Sequence, residues 1–318
     1  MDTRKALASG SVLKFPGMVC SIEKEIGRGS DSIVYKGSYP DMFCRDDMHT
    51  VLIKELFPYH PKGLIYRAEG GDIIHSSLAE AVWEMQMKKF EYGNRFHIKI
   101  CADHPDSAVA NFNSFILNGT VYTVLGYTSG RTLYDEIMHN DQSMHTLIFR
   151  ILSILDALSI FHREGLIHLD IAPDNILLIG HGLNERSMII DFNSFCPVKD
   201  VREASQKMLT SKASYTAPEI RTGNRQAAGI PSDLYSVTAV FFRCLTGRAL
   251  TPFQMICRKP PDVSGCRMLS EFPEPAKKHI QRILAKGLAV FPAKRYQNVM
   301  EMQKDFREFG SELFKYSS

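Results

Sequence analysis

The chain has 318 residues, of which 44% are hydrophobic and 23% are charged. This length and composition indicate a globular protein with one large or two small cores and exclude an intrinsically disordered chain. The formal net charge of +3 arises from 38 basic and 35 acidic residues. Such a balance gives no bulk attraction to nucleic acid or to a membrane surface, so we expect no nucleic-acid partner.

The cysteine pattern and the hydropathy pattern bear on the cellular compartment. The seven cysteines are dispersed and include no Cys-x-x-Cys pair, which argues against a disulfide framework or a zinc site. No apolar run reaches the roughly 18 residues of a membrane span, and no signal-peptide core follows the start. We expect a cytoplasmic protein with no membrane span in this chain, or the cytosolic portion of a longer one.

Two alternating runs near the start of the chain flank a glycine-rich turn. Residues 22–26 and 33–37 alternate as strands do, and the turn between them contains Gly27 and Gly29. Glycines allow backbone N–H groups to approach phosphate oxygens closely. A hairpin that binds no nucleotide is the alternative interpretation.

A strand that ends in a lysine and a long helix come next. Residues 51–54 are an apolar run that ends at Lys54. Residues 76–96 are the helical candidate, and Glu84 and Glu91 fall on one face of it. For an isolated strand-end lysine, a solvent-exposed position is the alternative.

A polar loop at residues 168–175 lies between a helical pattern and a short β-type run. Residues 154–161 carry apolar side chains at helical spacing, and residues 176–179 form the β-type run. Within the loop, Asp170 is followed five residues later by Asn175. Such a pair can orient a hydroxyl nucleophile and hold a cation on a phosphate. Because an ordinary turn uses the same residue types, the loop needs support from other motifs.

Further motifs follow this loop in the C-terminal half. A buried-type strand ends at Asp191, 21 residues after Asp170. Residues 217–219 read Ala-Pro-Glu, Asp233 begins an apolar helix, and Arg295 lies near the C-terminus.

These motifs, in this order over residues 22–296, resemble those of eukaryotic-type protein kinases, and most closely the bacterial serine/threonine kinases. The resemblance implies an α+β, bilobal protein-kinase fold, with a small β-rich N-lobe containing one main helix and a larger α-helical C-lobe. It implies an N-terminal extension at residues 1–20, an N-lobe at residues 21–126 and a C-lobe at residues 127–318.

The resemblance also implies the chemistry. ATP would bind with Mg²⁺ or Mn²⁺ between the lobes, and the γ-phosphate would pass to a Ser or Thr hydroxyl of a protein substrate. Asp170 would orient that hydroxyl, and Asn175 and Asp191 would hold the metal ions. The family further implies that Asp233 caps the catalytic loop and that the Glu of Ala-Pro-Glu pairs with Arg295. It also allows a homodimer for autophosphorylation.

Nucleotide contacts are implied in both lobes. Lys54 would hold the α- and β-phosphates, with a helix glutamate as its partner, and the pattern leaves open whether Glu84 or Glu91 is that partner. The other implied contacts are Ile26, Gly27, Gly29, Val34, Leu125, Gly126, Thr128 and Leu177.

Some positions depart from the usual kinase pattern. Ala172 stands in place of a lysine that neutralises charge on the transferred phosphoryl group. Lys212, five residues before Ala217, could supply that charge from the opposite loop, so we include it among the catalytic residues. A solvated loop lysine is the alternative. Asn193 replaces the glycine of Asp-Phe-Gly, where its tolerance of left-handed backbone angles would preserve the turn.

Regulation by phosphorylation is expected to be weak. Leu169 stands where many regulated kinases have an arginine, which a phosphate on the activation loop neutralises. Without this arginine, activity should depend little on phosphorylation of Thr210, Ser211, Ser214 or Thr216.

Two other classes of function remain open. A small-molecule phosphotransferase would share the Asp-x-x-x-x-Asn motif and the metal aspartate, but it would lack the peptide-docking segment at residues 217–219. A pseudokinase scaffold that binds nucleotide without efficient transfer is suggested by departures such as Ser32 and Asn193. The residues for metal binding and nucleophile orientation are nevertheless all present.

Overall fold

The structure is a computed structural model that describes the chain except for residues 1, 42, 45, 140–141, 202–211 and 317–318. Thr210 and Ser211, two of the expected phosphorylation sites, therefore lie outside the described residues. The chain divides into two compact units, an N-terminal unit of residues 1–128 and a C-terminal unit of residues 129–318.

The N-terminal unit contains eight strands and one long helix among its described residues. The strands are β1 (Val12–Phe15), β2 (Met18–Arg28), β3 (Ser32–Pro40), β4 (Met48–Leu56), β5 (Ile65–Arg67), β6 (Ile73–His75), β7 (Asn111–Leu117) and β8 (Thr120–Gly126), and the helix is α1 (Glu80–Asp103). Six strands form one antiparallel sheet in the order β1-β2-β3-β4-β8-β7, and β5 pairs with β6. Alternate side chains such as Ile33, Tyr35, Val51 and Ile53 enter the core, as the alternating pattern predicts. Residues 12–20, read from sequence as part of an extension, contribute β1 and the start of β2.

A buried carboxylate ties four strands of this unit together. Glu55 on β4 is fully buried. Its oxygens accept hydrogen bonds from the Tyr35 hydroxyl on β3 (2.7 Å), from the Tyr122 hydroxyl on β8 and from Nη2 of Arg67 on β5 (2.6 Å). Burial, together with the Glu55 charge, raises the pKa of both tyrosines, so both hydroxyls remain donors. The cluster fixes the end of the strand that carries Lys54.

The C-terminal unit is mainly helical. Its helices are α2 (Leu133–His139), α3 (Met144–Arg163), α4 (Pro218–Arg221), α5 (Ile230–Thr246), α6 (Pro252–Ile256), α7 (Glu274–Gly287) and α8 (Val299–Leu313), and its short strands are β9 (Arg131–Thr132), β10 (Leu166–Ile167), β11 (Ile176–Ile179), β12 (Arg186–Ile189) and β13 (Cys196–Pro197). Helix α5 is buried on nearly all sides, which makes it the centre of the unit. Of the described helices, α3 is long and apolar enough to cross a membrane. However, 56% of its most apolar window is buried inside the protein, where it packs on α5 and α8.

Four charged side chains form a buried cluster that we call the C-terminal ion network. Arg150 on α3 pairs with Glu185 (Nε to Oε1, 2.7 Å) and with Glu136 on α2 (Nη2 to Oε1, 2.7 Å). Arg131 on β9 pairs with the same two glutamates. Burial alone would raise the pKa of Glu136, but the hydrogen bonds from both arginines outweigh it and lower the pKa to about 2. The network therefore joins α2 and α3 to the turn that precedes β12.

Candidate active site

The loop at residues 168–175 connects β10 to β11 and is hydrogen-bonded to Asp233 in the first turn of α5. The Asp233 carboxylate is fully buried. It accepts hydrogen bonds from the backbone N–H groups of His168 and Leu169, each at 2.8 Å, and its Oδ2 lies 2.9 Å from Nε2 of His162. Leu169 has a φ of 63°, a left-handed conformation that is costly for leucine and needs such external restraint. The expectation that Asp233 caps the loop is confirmed.

Asp170 and Asn175 lie together inside this loop. Both are buried, with 7% and 5% of their surfaces exposed. The Asn175 amide Nδ2 donates to the backbone oxygen of Asp170 (2.8 Å) and to its carboxylate Oδ2 (3.0 Å). The carboxylate is thereby oriented by the residue five positions later. The backbone oxygen of Asn175 in turn accepts from the N–H of Ile190 (2.9 Å), which brings the strand that precedes Asp191 alongside the loop.

The turn at residues 191–194 has an unexpected backbone. Asp191 itself is left-handed, with φ 69° and ψ 88°, and its Oδ1 accepts from the N–H of Asn193 at 3.2 Å. Asn193 lies in the 3-10 turn Phe192–Ser194 and is not left-handed. The expectation that Asn193 supplies the left-handed residue is therefore wrong. The Phe192 ring stacks on Phe195 at 4.6 Å, which anchors the turn in the core.

His168 links the two loops as a neutral side chain. It is fully buried, and burial lowers its pKa. Its Nδ1 accepts from the Asp170 N–H (3.2 Å), so the proton is on Nε2, which lies 3.3 Å from the backbone oxygen of Ile190. The ring also packs on Phe195 at 4.5 Å. His168 thus fixes the backbone at both Asp170 and the strand end.

The Lys212 side chain contacts the loop at residues 168–175. Its Nζ lies 2.6 Å from Oδ2 of Asp174 and 3.8 Å from Oδ2 of Asp170. The Lys212 backbone oxygen accepts from the N–H groups of Tyr215 (2.8 Å) and Thr216 (3.2 Å), so a tight turn holds the residue in place. Asp174 was not among the predicted site residues, although its position beside Asn175 places it in the loop.

The Ala-Pro-Glu segment is locked to the C-terminal part of the unit. Glu219 and Arg295 form a bidentate pair, with both N–O distances at 2.7 Å and side chains 3% and 0% exposed. The hydroxyl of Ser232 also donates to Glu219 at 2.6 Å. The pairing expected from sequence is confirmed. It is a strong pair because a planar guanidinium matches a carboxylate in two parallel hydrogen bonds.

The predicted glycine-rich hairpin is present in the N-terminal unit as β2 and β3. Gly27 pairs with Val34 across the two strands, and Ile26 is 47% exposed. We call residues 27–32 the glycine loop. An added Cβ at Gly27 would meet nothing within 4 Å, and one at Gly29 would meet only the Asp31 carboxylate at 3.9 Å. A side chain at either position would therefore meet no steric obstacle within the protein.

Lys54 lies on β4 as predicted, although the strand continues two residues beyond it to Leu56. Its Nζ lies 5.7 Å from the centroid of the Phe90 ring on α1. Phe90 comes six residues after Glu84 and one before Glu91, so neither glutamate shares its face of the helix. Both glutamates are exposed. The pairing of Lys54 with a helix glutamate stays a prediction.

A buried ion pair joins α1 to the glycine loop. Nζ of Lys89 lies 3.8 Å from Oδ2 of Asp31, with side chains 5% and 9% exposed. This pair was not predicted from the sequence. A lysine in a helix and an aspartate in a turn are each common, so no local pattern marks them as partners.

The remaining predicted nucleotide contacts lie on or just after β8 in the N-terminal unit and on β11 in the C-terminal unit. Leu125 and Gly126 close β8, and the Gly126 N–H already donates to the backbone oxygen of Ala110 at 2.8 Å. Thr128 is the last residue of the N-terminal unit. Leu177 lies on β11 in the C-terminal unit.

The donor set of the catalytic loop fits a hard divalent cation. Among the described residues, no group of three or more His, Cys, Asp or Glu side chains is placed to hold a metal by itself. Asn175 directs its Nδ2 at Asp170, which leaves its amide oxygen as a ligand, and Asp191 contributes a carboxylate. Oxygen ligands of this kind suit Mg²⁺ or Mn²⁺ ions that take their other ligands from phosphates and water.

Comparison with known proteins agrees with this geometry. Serine/threonine-protein kinase PknB of Mycobacterium leprae is 30% identical over 193 residues, which cover 58% of this chain and 29% of that kinase. The probable serine/threonine-protein kinase PknB of Lactococcus lactis is 26% identical over 290 residues, which cover 89% of this chain and 41% of that kinase. The chain thus spans less than half the length of these relatives.

Solved structures show the same fold. The apo form of PpkA-294 superimposes with a TM-score of 0.67 at 20% identity, covering 95% of this chain and 99% of that one. The kinase domain of Mycobacterium tuberculosis PknI gives a TM-score of 0.60 at 19% identity, covering 96% and 100%. These likenesses confirm the predicted α+β kinase fold. The sequence profile of the family described as "Protein kinase domain" matches residues 96–306, more than half of the chain, so this protein belongs to the protein kinase family.

Proposed function

We propose that the protein is an ATP-dependent serine/threonine kinase that phosphorylates proteins. The observation that carries this proposal is the constellation in the catalytic loop, where Asn175 orients the Asp170 carboxylate and Lys212 lies 3.8 Å from it. Members of the family typically use ATP and a divalent metal. The named relatives are serine/threonine kinases, which favours a Ser or Thr hydroxyl as the acceptor.

Asp170 would act on the acceptor hydroxyl. The hydroxyl oxygen forms a bond to the γ-phosphorus, the bond from that phosphorus to the β–γ bridging oxygen breaks, and the hydroxyl proton passes to Asp170 as ADP leaves. The hydrogen bond from Asn175 holds the carboxylate in one orientation for this transfer. Orientation of this kind supplies much of the rate enhancement in phosphoryl transfer.

Asn175 and Asp191 would hold the metal ions, and Lys54 the α- and β-phosphates. When bound, the metal ions neutralise charge on the phosphates. Lys212 would add a positive charge beside the transferred group, at the point that Ala172 leaves neutral. Asp174, half-exposed and 2.6 Å from Nζ, would keep Lys212 directed at the loop before substrate arrives.

The proposed substrate is a protein because the peptide-docking segment at residues 217–219 is present and held in place. The Glu219–Arg295 pair fixes Ala-Pro-Glu against the rest of the unit, a feature that a small-molecule phosphotransferase does not need. We also propose a cytoplasmic location, which agrees with seven free cysteines.

Radiolabel transfer from ATP to a generic protein substrate tests this function. We expect the wild-type chain to transfer label and Asp170→Asn to lose transfer while it still binds ATP. Asp191→Ala should weaken Mg²⁺-dependent nucleotide binding as well. A wild-type chain that binds ATP without transfer would favour a pseudokinase scaffold. An Asp170→Asn variant that keeps most of its activity would show that the catalytic assignment is wrong.

A further inference from the structure

The first residues of the chain lie against the glycine loop. Arg4 is buried, with 3% of its side chain exposed. Its guanidinium donates to the backbone oxygen of Gly29 at 2.7 Å and to the backbone oxygen of Phe57. Asp2 holds the guanidinium from the other side, because its Oδ1 accepts from Nε at 3.0 Å and its Oδ2 from Nη2. Arg4 therefore bridges the chain start, the glycine loop and the segment after β4.

The contact is reciprocal. Arg28 of the hairpin donates from Nη1 to the backbone oxygen of Arg4 at 3.2 Å. Its Nε and Nη2 are each 2.6 Å from the Glu25 carboxylate, so Glu25 orients Arg28 toward the chain start. Residues 2–4 are thus bound to the hairpin twice, by the Arg4 side chain on Gly29 and by the Arg28 side chain on the Arg4 backbone.

The next two residues of the loop are held in a similar way by the segment after β4. The Tyr59 N–H donates to the backbone oxygen of Ser30 at 2.7 Å, and the Phe57 N–H donates to that of Asp31 at 2.9 Å. With Arg4 on Gly29, three successive backbone oxygens of the loop each accept a hydrogen bond from outside the hairpin.

These three hydrogen bonds determine where the loop N–H groups point. A trans peptide unit is planar, with its C=O and N–H directed to opposite sides. Each hydrogen bond fixes one peptide unit, so the N–H groups of Ser30, Asp31 and Ser32 each point away from the donor that holds the oxygen of the same unit. Successive backbone N–H groups in a turn can form an anion-binding concavity, so the orientation of these three groups matters for phosphate binding.

We propose that residues 2–4 form an arm that positions the glycine loop for the nucleotide phosphates, with Arg4 as the positioning residue. This inference rests on the proposed function, since only that function assigns a nucleotide to the loop. Because glycine has no Cβ to limit its φ and ψ angles, a loop without these hydrogen bonds would sample many conformations and lose entropy on binding phosphate. Arg4 orders the Gly29–Ser30 peptide before the nucleotide arrives.

Hydrogen–deuterium exchange on the full chain, with Mg²⁺ and a non-hydrolysable ATP analogue as the binding probe, tests this role. Arg4→Ala should speed exchange at residues 28–31 and weaken analogue binding by about tenfold, the size expected when a charged donor to a buried acceptor is lost. In turnover assays KM for ATP should rise while kcat changes little. Arg4→Lys should recover only part of the affinity, because an ammonium cannot bridge two carbonyl oxygens and a carboxylate as a guanidinium does.

Lys5→Ala is the matched control. It removes the same charge from an exposed neighbouring side chain and should leave exchange and affinity unchanged. Unchanged exchange in the β7 and β8 strands would show that Arg4→Ala is folded. If Arg4→Ala leaves loop exchange and affinity at the Lys5→Ala values, the arm has no positioning role. A wild-type chain that does not bind the analogue would instead refute the proposed function, whatever the exchange shows.

Discussion

Lys212→Ala would remove a positive charge that lies 3.8 Å from the Asp170 carboxylate. Ala172, which is fully buried and uncharged, cannot take its place. In the transition state, negative charge spreads over the phosphoryl oxygens, and a fixed cation stabilises that charge more than it stabilises bound ATP. The loss should therefore fall on kcat, with little change in ATP affinity.

The size of the effect can be bracketed from the geometry. A unit of negative charge on the phosphoryl group at a distance similar to the 3.8 Å between Lys212 and Asp170 would interact with the ammonium by about 4 kcal/mol at an effective dielectric constant of about 20 and by about 1 kcal/mol in water. The Lys212 side chain is 31% exposed, and Asp174 at 2.6 Å competes for the same ammonium. The interaction energy therefore lies between these limits. Each ~1.4 kcal/mol changes a rate about tenfold, and removal of a preorganised donor typically costs roughly 10²–10³ in turnover. We expect kcat to fall about a hundredfold.

Steady-state measurement of γ-phosphate transfer, with kcat and KM for ATP determined separately, checks this prediction. Lys199→Ala is the matched control, because Lys199 is an exposed lysine that follows β13 in the same unit. Adding Ala172→Lys to the Lys212→Ala variant should restore part of the lost turnover by placing an ammonium on the catalytic loop itself. A Lys212→Ala enzyme with wild-type kcat would refute the reasoning, as would an equal loss in Lys199→Ala.

Three further predictions follow from the C-terminal unit. Glu219→Ala should lower the free energy of unfolding in urea by about 3–5 kcal/mol, because it leaves the Arg295 charge buried without its carboxylate; a double variant with Arg295→Met should lose less than the sum of the two single losses. The pKa of Glu136 is lowered to about 2 in the folded state, so its contribution to stability is present above its ordinary pKa of 4.5 and is lost as the pH falls toward 2. Glu136→Gln should therefore flatten the pH dependence of the unfolding free energy across that interval. Because Leu169 is buried and uncharged, phosphatase treatment should leave most of the kinase activity, and silencing by phosphatase would contradict this.

Much of the catalytic loop could be predicted because its polar residues are close together in the sequence. Asp170 and Asn175 are five residues apart, and a loop of that length between a helix and a strand can bring their side chains together in few ways. The pairing of Glu219 with Arg295 spans a long stretch of chain, yet it was predictable because each residue belongs to a recognisable segment. The family resemblance supplied that long-range pairing, which periodicity alone could not.

The face of α1 was decided only by tertiary packing. Several charged residues of that helix satisfy the same periodicity, so the pattern could not tell which of them faces the sheet. In the folded unit Phe90 packs over Lys54 and Lys89 pairs with Asp31. Helical spacing determines which residues share a face, whereas the rotation of the helix depends on what it packs against.

The sequence by itself determined the order of the elements and the residues of the catalytic loop, because motif spacing and hydrophobic periodicity are properties of neighbouring residues. Only the tertiary structure decided that Asp191 rather than Asn193 is left-handed and that Arg4 meets Gly29. The first depends on restraints that surrounding strands place on one turn. The second joins residues far apart in the chain, and no local pattern indicates which backbone oxygens a buried guanidinium contacts.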